Sequence, residues 1–386
     1  MKILITSDWY KPVINGVVTS VDNLCEELSK MGFDVRILTL SDSSHSYKKG
    51  NVYYIGSLGA GAIYPQARVR IKWNRAMIRE IVSWRPDIVH SQCEFSTFIP
   101  AKRIANMCNV PLVHTYHTVY EDYTHYFCPV DRLGKGAVKI FSELVLNRTE
   151  AVVAPSKKVE DMLKRYDINS NIYVIPSGID TGRFACADTG KREEIRREYG
   201  IGEDEFIMVY VGRLAKEKNL EEIFKIMHDM NDKKQRLLIV GDGPARPELE
   251  ELALRLGIYE RLIFTGMVSP VEVADYYKAG DVFINASTSE TQGLTYIEAM
   301  ACSVPVLCRK DEALEDVIKS GENGFLYETG AEFEAVLNAL KSDSDLRRRT
   351  GAKGCELAAV KFCAAAFASG CARLYEECIN ENKFIS

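Results

Sequence analysis

Lys2-Ile3-Leu4-Ile5-Thr6, then a glycine-containing loop and an amphipathic stretch to Met31-Gly32, then Val35-Arg36-Ile37-Leu38-Thr39, read as one βαβ unit. Short apolar runs separated by helical patterns continue from there: Ile88-Val89-His90, Leu112-Val113-His114-Thr115, Ala151-Val152-Val153-Ala154 and Ile172-Tyr173-Val174-Ile175. Strands that are apolar on both faces and joined by helices predict a parallel sheet covered on both sides. A second series repeats the pattern from Phe206-Ile207-Met208-Val209-Tyr210-Val211 through Leu237-Leu238-Ile239-Val240, Leu262-Ile263-Phe264, Val282-Phe283-Ile284 and Pro305-Val306-Leu307. The fold class is therefore α/β, with two Rossmann-like domains. Between them, Pro176-Ser177-Gly178-Ile179-Asp180 and a charged segment to about Asp204 read as an interdomain linker. Open α/β sheets bind ligands at the carboxyl ends of their strands, so two such sheets facing a central cleft would place a site on each wall.

Length agrees with this division, since 386 residues exceed the ~150 of an average domain more than twofold. No run approaches the ~20 apolar residues of a membrane-spanning helix, and the opening run is too short for a secretory signal, so a cytoplasmic location is expected. Eleven cysteines without a Cys-x-x-Cys pair predict free, mostly buried thiols. Residues 1–180 hold 22 Lys and Arg against 18 Asp and Glu, whereas the remainder holds 27 against 36. That balance argues against nucleic acid as a partner and is compatible with contact between the first half and an anionic lipid surface.

Two segments of the second half carry chemistry. Val211-Gly212-Arg213-Leu214-Ala215-Lys216-Glu217-Lys218-Asn219-Leu220 joins a strand to a helix through a glycine bend with two cations, Arg213 and Lys218, five apart. It suits an anionic ligand such as a diphosphate, or else it is a solvated charged loop. Asn285 to Ala301 puts Glu290 in a loop after a strand and Glu298 eight positions on in the next helix, with Thr291-Gln292-Gly293-Leu294 between them as a turn whose backbone N–H groups can hold a phosphate. Gly241-Asp242-Gly243-Pro244 lacks the third glycine of a dinucleotide fingerprint, which weighs against an oxidoreductase. Asp343-Ser344-Asp345 opens a helical run and reads as a helix cap, not a metal site.

Gly212-Arg213-Leu214 with Glu217-Lys218-Asn219, Pro176-Ser177-Gly178-Ile179-Asp180, and the Glu290/Glu298 spacing together resemble the retaining glycosyltransferases of family 4, which have the GT-B fold. The resemblance covers nearly the whole chain. It implies an acceptor-side domain over 1–180, a nucleotide-sugar domain over 181–365, and a C-terminal helix near 366–386 that rejoins the first. It also implies a hexosyltransferase using a UDP-sugar, with Arg213 and Lys218 on the diphosphate, Glu298 on the ribose, Glu290 on the donor sugar, and no metal or other cofactor. Gly266 and Val268 would lie near the base, Gly178 near the donor, and Gly16 in a loop approaching the sugar diphosphate. His117, at the end of the Leu112 strand, matches the family histidine that contacts the transferred sugar.

The segment from His114 to Phe127 is dense in aromatics and histidine, and resembles the acceptor region of bacterial diacylglycerol glucosyltransferases within the family. A lipid acceptor would then meet Tyr116, Tyr120 and Tyr123, although a tyrosine-rich core is the plainer reading of any one of them. Between Pro65 and Pro86, Arg68, Lys72, Arg75 and Arg79 follow helical spacing on one face, with Trp73, Met77, Ile81 and Trp84 on another. Two readings stand: a basic amphipathic helix on an anionic membrane at the inner face of the cell membrane, or a crossover helix packed on its sheet. The resemblance leads to the expectation of hexose transfer, glucose first, from a UDP-sugar to diacylglycerol. The alternatives are a soluble or polyprenyl-linked acceptor, or a nucleotide-sugar epimerase.

Overall fold

The structure is a computed structural model describing residues 1–13, 15–61, 67–71, 74–121, 131–185 and 189–385. It divides into two compact units, residues 1–178 with 364–386, and residues 179–363.

In the first unit the strands are β1 (Lys2–Ser7), β2 (Asp34–Leu40), β3 (Tyr47–Lys49), β4 (Val52–Ile55), β5 (Ser57–Gly59), β6 (Arg68–Arg70), β7 (Ile88–Ser91), β8 (Leu112–Thr115), β9 (Ala151–Ala154) and β10 (Asn171–Val174). The main sheet runs β10-β9-β8-β7-β1-β2-β4-β3, parallel except for the β3–β4 pair, while β5 and β6 form a separate antiparallel ribbon. Helices α1 (Gly16–Lys30), α2 (Arg75–Trp84), α3 (Phe98–Cys108), α4 (Asp131–Leu146) and α5 (Lys157–Lys164) join these strands. Alternate residues of β1 serve opposite faces: Leu4 packs with α2 and α3 residues, and Ile3 and Ile5 pack with α1 and the C-terminal helix, Ala364–Ile385.

That last helix is fastened to the sheet by polar contacts as well as apolar ones. The Tyr375 hydroxyl lies 2.6 Å from His90 Nδ1, and Thr115 Oγ1 lies 2.7 Å from His90 Nε2. Burial, with smaller contributions from His114 and His117, holds the pKa of His90 well below the usual histidine range. Folding therefore keeps the ring neutral. Stability from this group is present above the unfolded value of about 6.5 and lost as pH falls below it, because the unfolded ring takes up a proton that the folded one refuses. Tyr375→Phe should cost about 1–3 kcal/mol by stranding a buried ring nitrogen. Denaturant unfolding of both proteins checks this, and a midpoint unchanged by the substitution would contradict it.

The second unit contains β11 (Phe206–Val211), β12 (Gln235–Val240), β13 (Leu262–Gly266), β14 (Val282–Asn285), β15 (Val306–Arg309) and β16 (Phe325–Tyr327), in the order β13-β12-β11-β14-β15-β16, all parallel. This is the 3-2-1-4-5-6 order of dinucleotide-type sheets, whose ligand crevice opens where the order reverses, here between β11 and β14. Its helices are α6 (Thr181–Ala185), α7 (Thr189–Glu198), α8 (Leu220–Met230), α9 (Arg246–Arg255), α10 (Val273–Ala279), α11 (Leu294–Ala301), α12 (Gly330–Ser342) and α13 (Ser344–Lys361). Asp343 caps α13 through its bond from the Leu346 N–H, 2.8 Å, as its position suggested.

The charged stretch expected as a linker is instead part of this unit. On α7, Arg192 and Arg196 each reach Asp281 at 2.7 Å, and Ile195 is buried in the core. One apolar residue among many charges hid the helix's packed face.

The basic helix expected across 65–86 also changes. Arg68 lies on β6, its guanidinium bonded to Ser57 Oγ at 2.6 Å, and α2 begins only at Arg75 after its Asn74 cap. Arg75 and Arg79 are exposed, but Met77, Ile81 and Trp84 are buried, and the Trp84 indole donates to Asp34 Oδ2 at 2.7 Å. The apolar face of α2 is consumed by its own sheet. Lys72 and Trp73 lie outside the described residues.

Candidate active site

The loops that leave β11, β12 and β13 approach one another closely. A side chain at Gly241 would bring its Cβ within 2.1 Å of the Gly212 carbonyl oxygen, and φ there is +131°, so only glycine fits. The Gly241 N–H donates to the Gly266 oxygen at 2.9 Å. Gly266 lies at the end of β13, and Val268, two residues on, packs against the core.

The loop after β11 presents Arg213 and then a 3₁₀ turn, Lys216–Lys218, before α8. Arg213 Nη2 reaches Glu217 Oε1 at 2.8 Å, while Lys218 Nζ crosses the reversal point to Glu290 Oε1 at 2.6 Å. Burial by itself would lower the Lys218 pKa, but Glu290, Tyr210 and Glu217 outweigh it and hold the value above the usual lysine range. Lys218 is a charged ammonium at any physiological pH. Arg213, Glu217, Lys218 and Glu290 all act electrostatically on the buried Tyr210, which places them in one neighbourhood.

After β14 the chain passes Glu290 and Thr291, buries Gln292, and turns at Gly293 into α11. Gly293 has φ +80°, and a Cβ there would stand 2.5 Å from the Tyr296 ring. This glycine sets the angle at which Leu294 starts the helix, so that the Leu294 and Thr295 N–H groups at its start follow within a few residues of Glu290.

Glu298, one helical turn after Leu294, accepts from the Tyr277 hydroxyl at 2.8 Å. Burial raises its pKa to about 7, against the opposing effects of Tyr277 and Arg183. If Glu298 accepts the two ribose hydroxyls of a nucleotide, as the family resemblance implies, its ionised form is stabilised, and nucleotide binding should pull this value down and release a proton near pH 7. UDP affinity should accordingly rise with pH between about 5.5 and 8. Calorimetry in buffers of different ionisation enthalpy measures the release, and a buffer-independent enthalpy would contradict it.

In the first unit, Gly16 opens α1 at its first helical position, after the Asn15 cap that accepts from the Val18 N–H at 2.9 Å. Its backbone N–H is thus one of the first-turn donors that have no partner within the helix. The Gly178 carbonyl accepts from Asn23 Nδ2 of that helix at 3.0 Å. His117 follows β8 with Nε2 2.7 Å from Gln92 Oε1, and its pKa is pushed down to about 4 by burial and His114, with Glu94 opposing.

Among the three tyrosines expected at the acceptor, Tyr116 is a correction: it is fully buried, its hydroxyl 3.2 Å from Ser142 Oγ, because an aromatic directly after an interior strand completes the core. Tyr120 is half-buried and donates to Glu94 Oε2 at 2.6 Å, and Tyr123 lies outside the described residues.

The sequence reading missed a buried polar layer at the carboxyl ends of β1 and β7. Asp8 accepts from the Ser96 and Thr97 N–H groups at 2.9 and 2.7 Å and so fixes the loop carrying Gln92 and Glu94. Glu94 sits between Tyr120 and His114 Nε2, the latter at 3.2 Å. The available signal was position: polar residues immediately after apolar strands flanking a point of strand-order reversal.

Family models match in two consecutive blocks, Glycosyltransferase Family 4 over residues 14–183 and Glycosyl transferases group 1 over 191–356. The alpha-monoglucosyldiacylglycerol synthase of Streptococcus pneumoniae is 35% identical over 357 residues, covering 91% of this chain and 80% of that protein. The chain belongs to glycosyltransferase family 4. The synthase of the same name from Acholeplasma laidlawii is 30% identical, covering 99% of this chain and 98% of its own. Among solved structures, Anabaena HepE in complex with UDP-glucose superposes with a TM-score of 0.76 at 16% identity, covering 98% of this chain and 100% of that one. The transferase therefore has the GT-B fold expected of it, and it is a hexosyltransferase-type enzyme.

Proposed function

We propose that the transferase moves glucose from UDP-glucose to diacylglycerol with retention at the anomeric carbon, working at the inner face of the cell membrane. The observation that carries this is the end-to-end similarity to two proteins named as alpha-monoglucosyldiacylglycerol synthases. UDP-glucose holds its sugar in the α configuration, so an α product is the retained one. Arg213, Lys218 and the first turn of α11 take the diphosphate, Glu298 the ribose and Glu290 the glucose. The acceptor hydroxyl attacks the anomeric carbon on the face the phosphate leaves. The bond from that carbon to the phosphate oxygen breaks, the new glycosidic bond forms, and the hydroxyl proton passes to the departing phosphate. Positive charge on Arg213 and Lys218 stabilises the UDP as it leaves, without a metal.

For the membrane, α4 offers what α2 does not. Ile140 and Leu144 are 59% and 57% exposed one turn apart, and Phe141 between them stacks on the exposed Phe95 at 5.5 Å. Ile99, four positions after Phe95, is also exposed, and these apolar side chains lie in the basic half of the chain. Ile140→Ser with Leu144→Ser should weaken binding to anionic vesicles yet spare activity on detergent-dispersed diacylglycerol. Unchanged vesicle binding would remove α4 from the membrane account. The function itself is tested by supplying UDP-glucose and diacylglycerol: a lipid heavier by one hexose is expected, and a product made only from a water-soluble sugar would overturn the acceptor.

A further inference from the structure

Gln92 follows β7 and is 1% exposed. Its side-chain oxygen, 2.7 Å from His117 Nε2, can only accept, so that ring nitrogen carries the proton and Nδ1 of the neutral imidazole holds the lone pair. The other end of the amide supplies an independent observation: Gln92 Nε2 is buried with no hydrogen-bond partner. Buried donors are nearly always paired, and an apolar side chain of the same size would avoid the cost. What such a side chain would lose is the bond to His117.

We propose that Gln92 is a positioning residue for glycosyl transfer: it fixes His117 in the Nε2–H tautomer, presenting Nδ1 as an acceptor to a substrate hydroxyl. This rests on the placement of His117 at the transferred sugar. The titratable groups acting on His117 are Glu94, which bonds Tyr120 and His114, and His114 itself, while His90 is coupled to it from β7. With its pKa pushed down to about 4, His117 stays neutral across the working range, so its tautomer and orientation are what must be set.

Long-range ¹H–¹⁵N spectra of the imidazole, with kinetics of Gln92→Leu, Gln92→Glu and His117→Ala, test the proposal. The parent should show the Nε2-protonated ring. Gln92→Leu should lower kcat roughly ten-fold, through lost orientation, with KM for the donor nearly unchanged. Gln92→Glu keeps an accepting oxygen but adds a charge that raises the His117 pKa. Its kcat should approach the parent's near pH 8 and fall on the acid side, where the parent stays level, because protonation removes the Nδ1 lone pair. An Nδ1-protonated parent ring overturns the proposal. So does parental kcat in Gln92→Leu with no acid limb in Gln92→Glu while His117→Ala is inactive. Parental activity in His117→Ala would overturn the placement of His117 itself, and Gln92's role with it.

Discussion

Lys218→Ala should lower kcat by roughly 10²-fold or more, the loss seen when one charged donor aimed at a developing anion is removed. The ammonium is held by Glu290 at 2.6 Å, where it keeps its charge although largely buried. In the proposed mechanism an incoming diphosphate meets a fixed cation instead of a solvated one, and little reorganisation is needed as charge builds on the departing UDP. Arg213→Ala should fall similarly. If these two cations neutralise the diphosphate, turnover should also survive EDTA. Activity lost in chelator and restored by Mg²⁺ or Mn²⁺, or near-parental kcat in both variants, would move the phosphate site elsewhere.

The two glutamates should separate kinetically. Glu298→Ala removes the proposed ribose acceptor, and a charge-assisted hydrogen bond of about 1.5–3 kcal/mol corresponds to a rise in donor KM of roughly ten- to a hundred-fold, with kcat much less affected. Glu290→Gln keeps the shape but not the charge that holds Lys218 and, in the proposed mechanism, the sugar, so its loss should fall on kcat, again roughly 10²-fold. Steady-state kinetics with varied UDP-glucose distinguish them. The opposite pattern would show the two roles exchanged.

The sheets were readable from the sequence because parallel strands buried on both faces are unbroken apolar runs, as at Phe206–Val211. Strands β3, β4, β5, β6 and β16 escaped notice: β4 spans four residues and each of the others three, and Tyr47–Lys49 is exposed along its whole length, so no alternation marks it. The Glu290–Glu298 stretch and the cations after β11 were legible because loop chemistry there is local in sequence. Gln92, Glu94 and Asp8 were not, since their partners lie 20 to 89 residues away and only the strand order brings them together. The extent of the basic helix across 65–86 was misread for a related reason. A helical stripe of Trp and Met shows that a face will be buried, and only the packing shows that the sheet beneath buries it.

The most direct test of the whole account is the configuration of the product. UDP-glucose labelled with ¹³C at the anomeric carbon would be incubated with the transferase and diacylglycerol in anionic vesicles, and the lipid extract examined by NMR. The account predicts labelled glucosyl-diacylglycerol whose anomeric carbon has the one-bond C–H coupling of an α-glucoside. A β-glucoside would contradict retention, and label found only in free sugar or in an epimerised UDP-sugar would contradict glucosyl transfer to lipid.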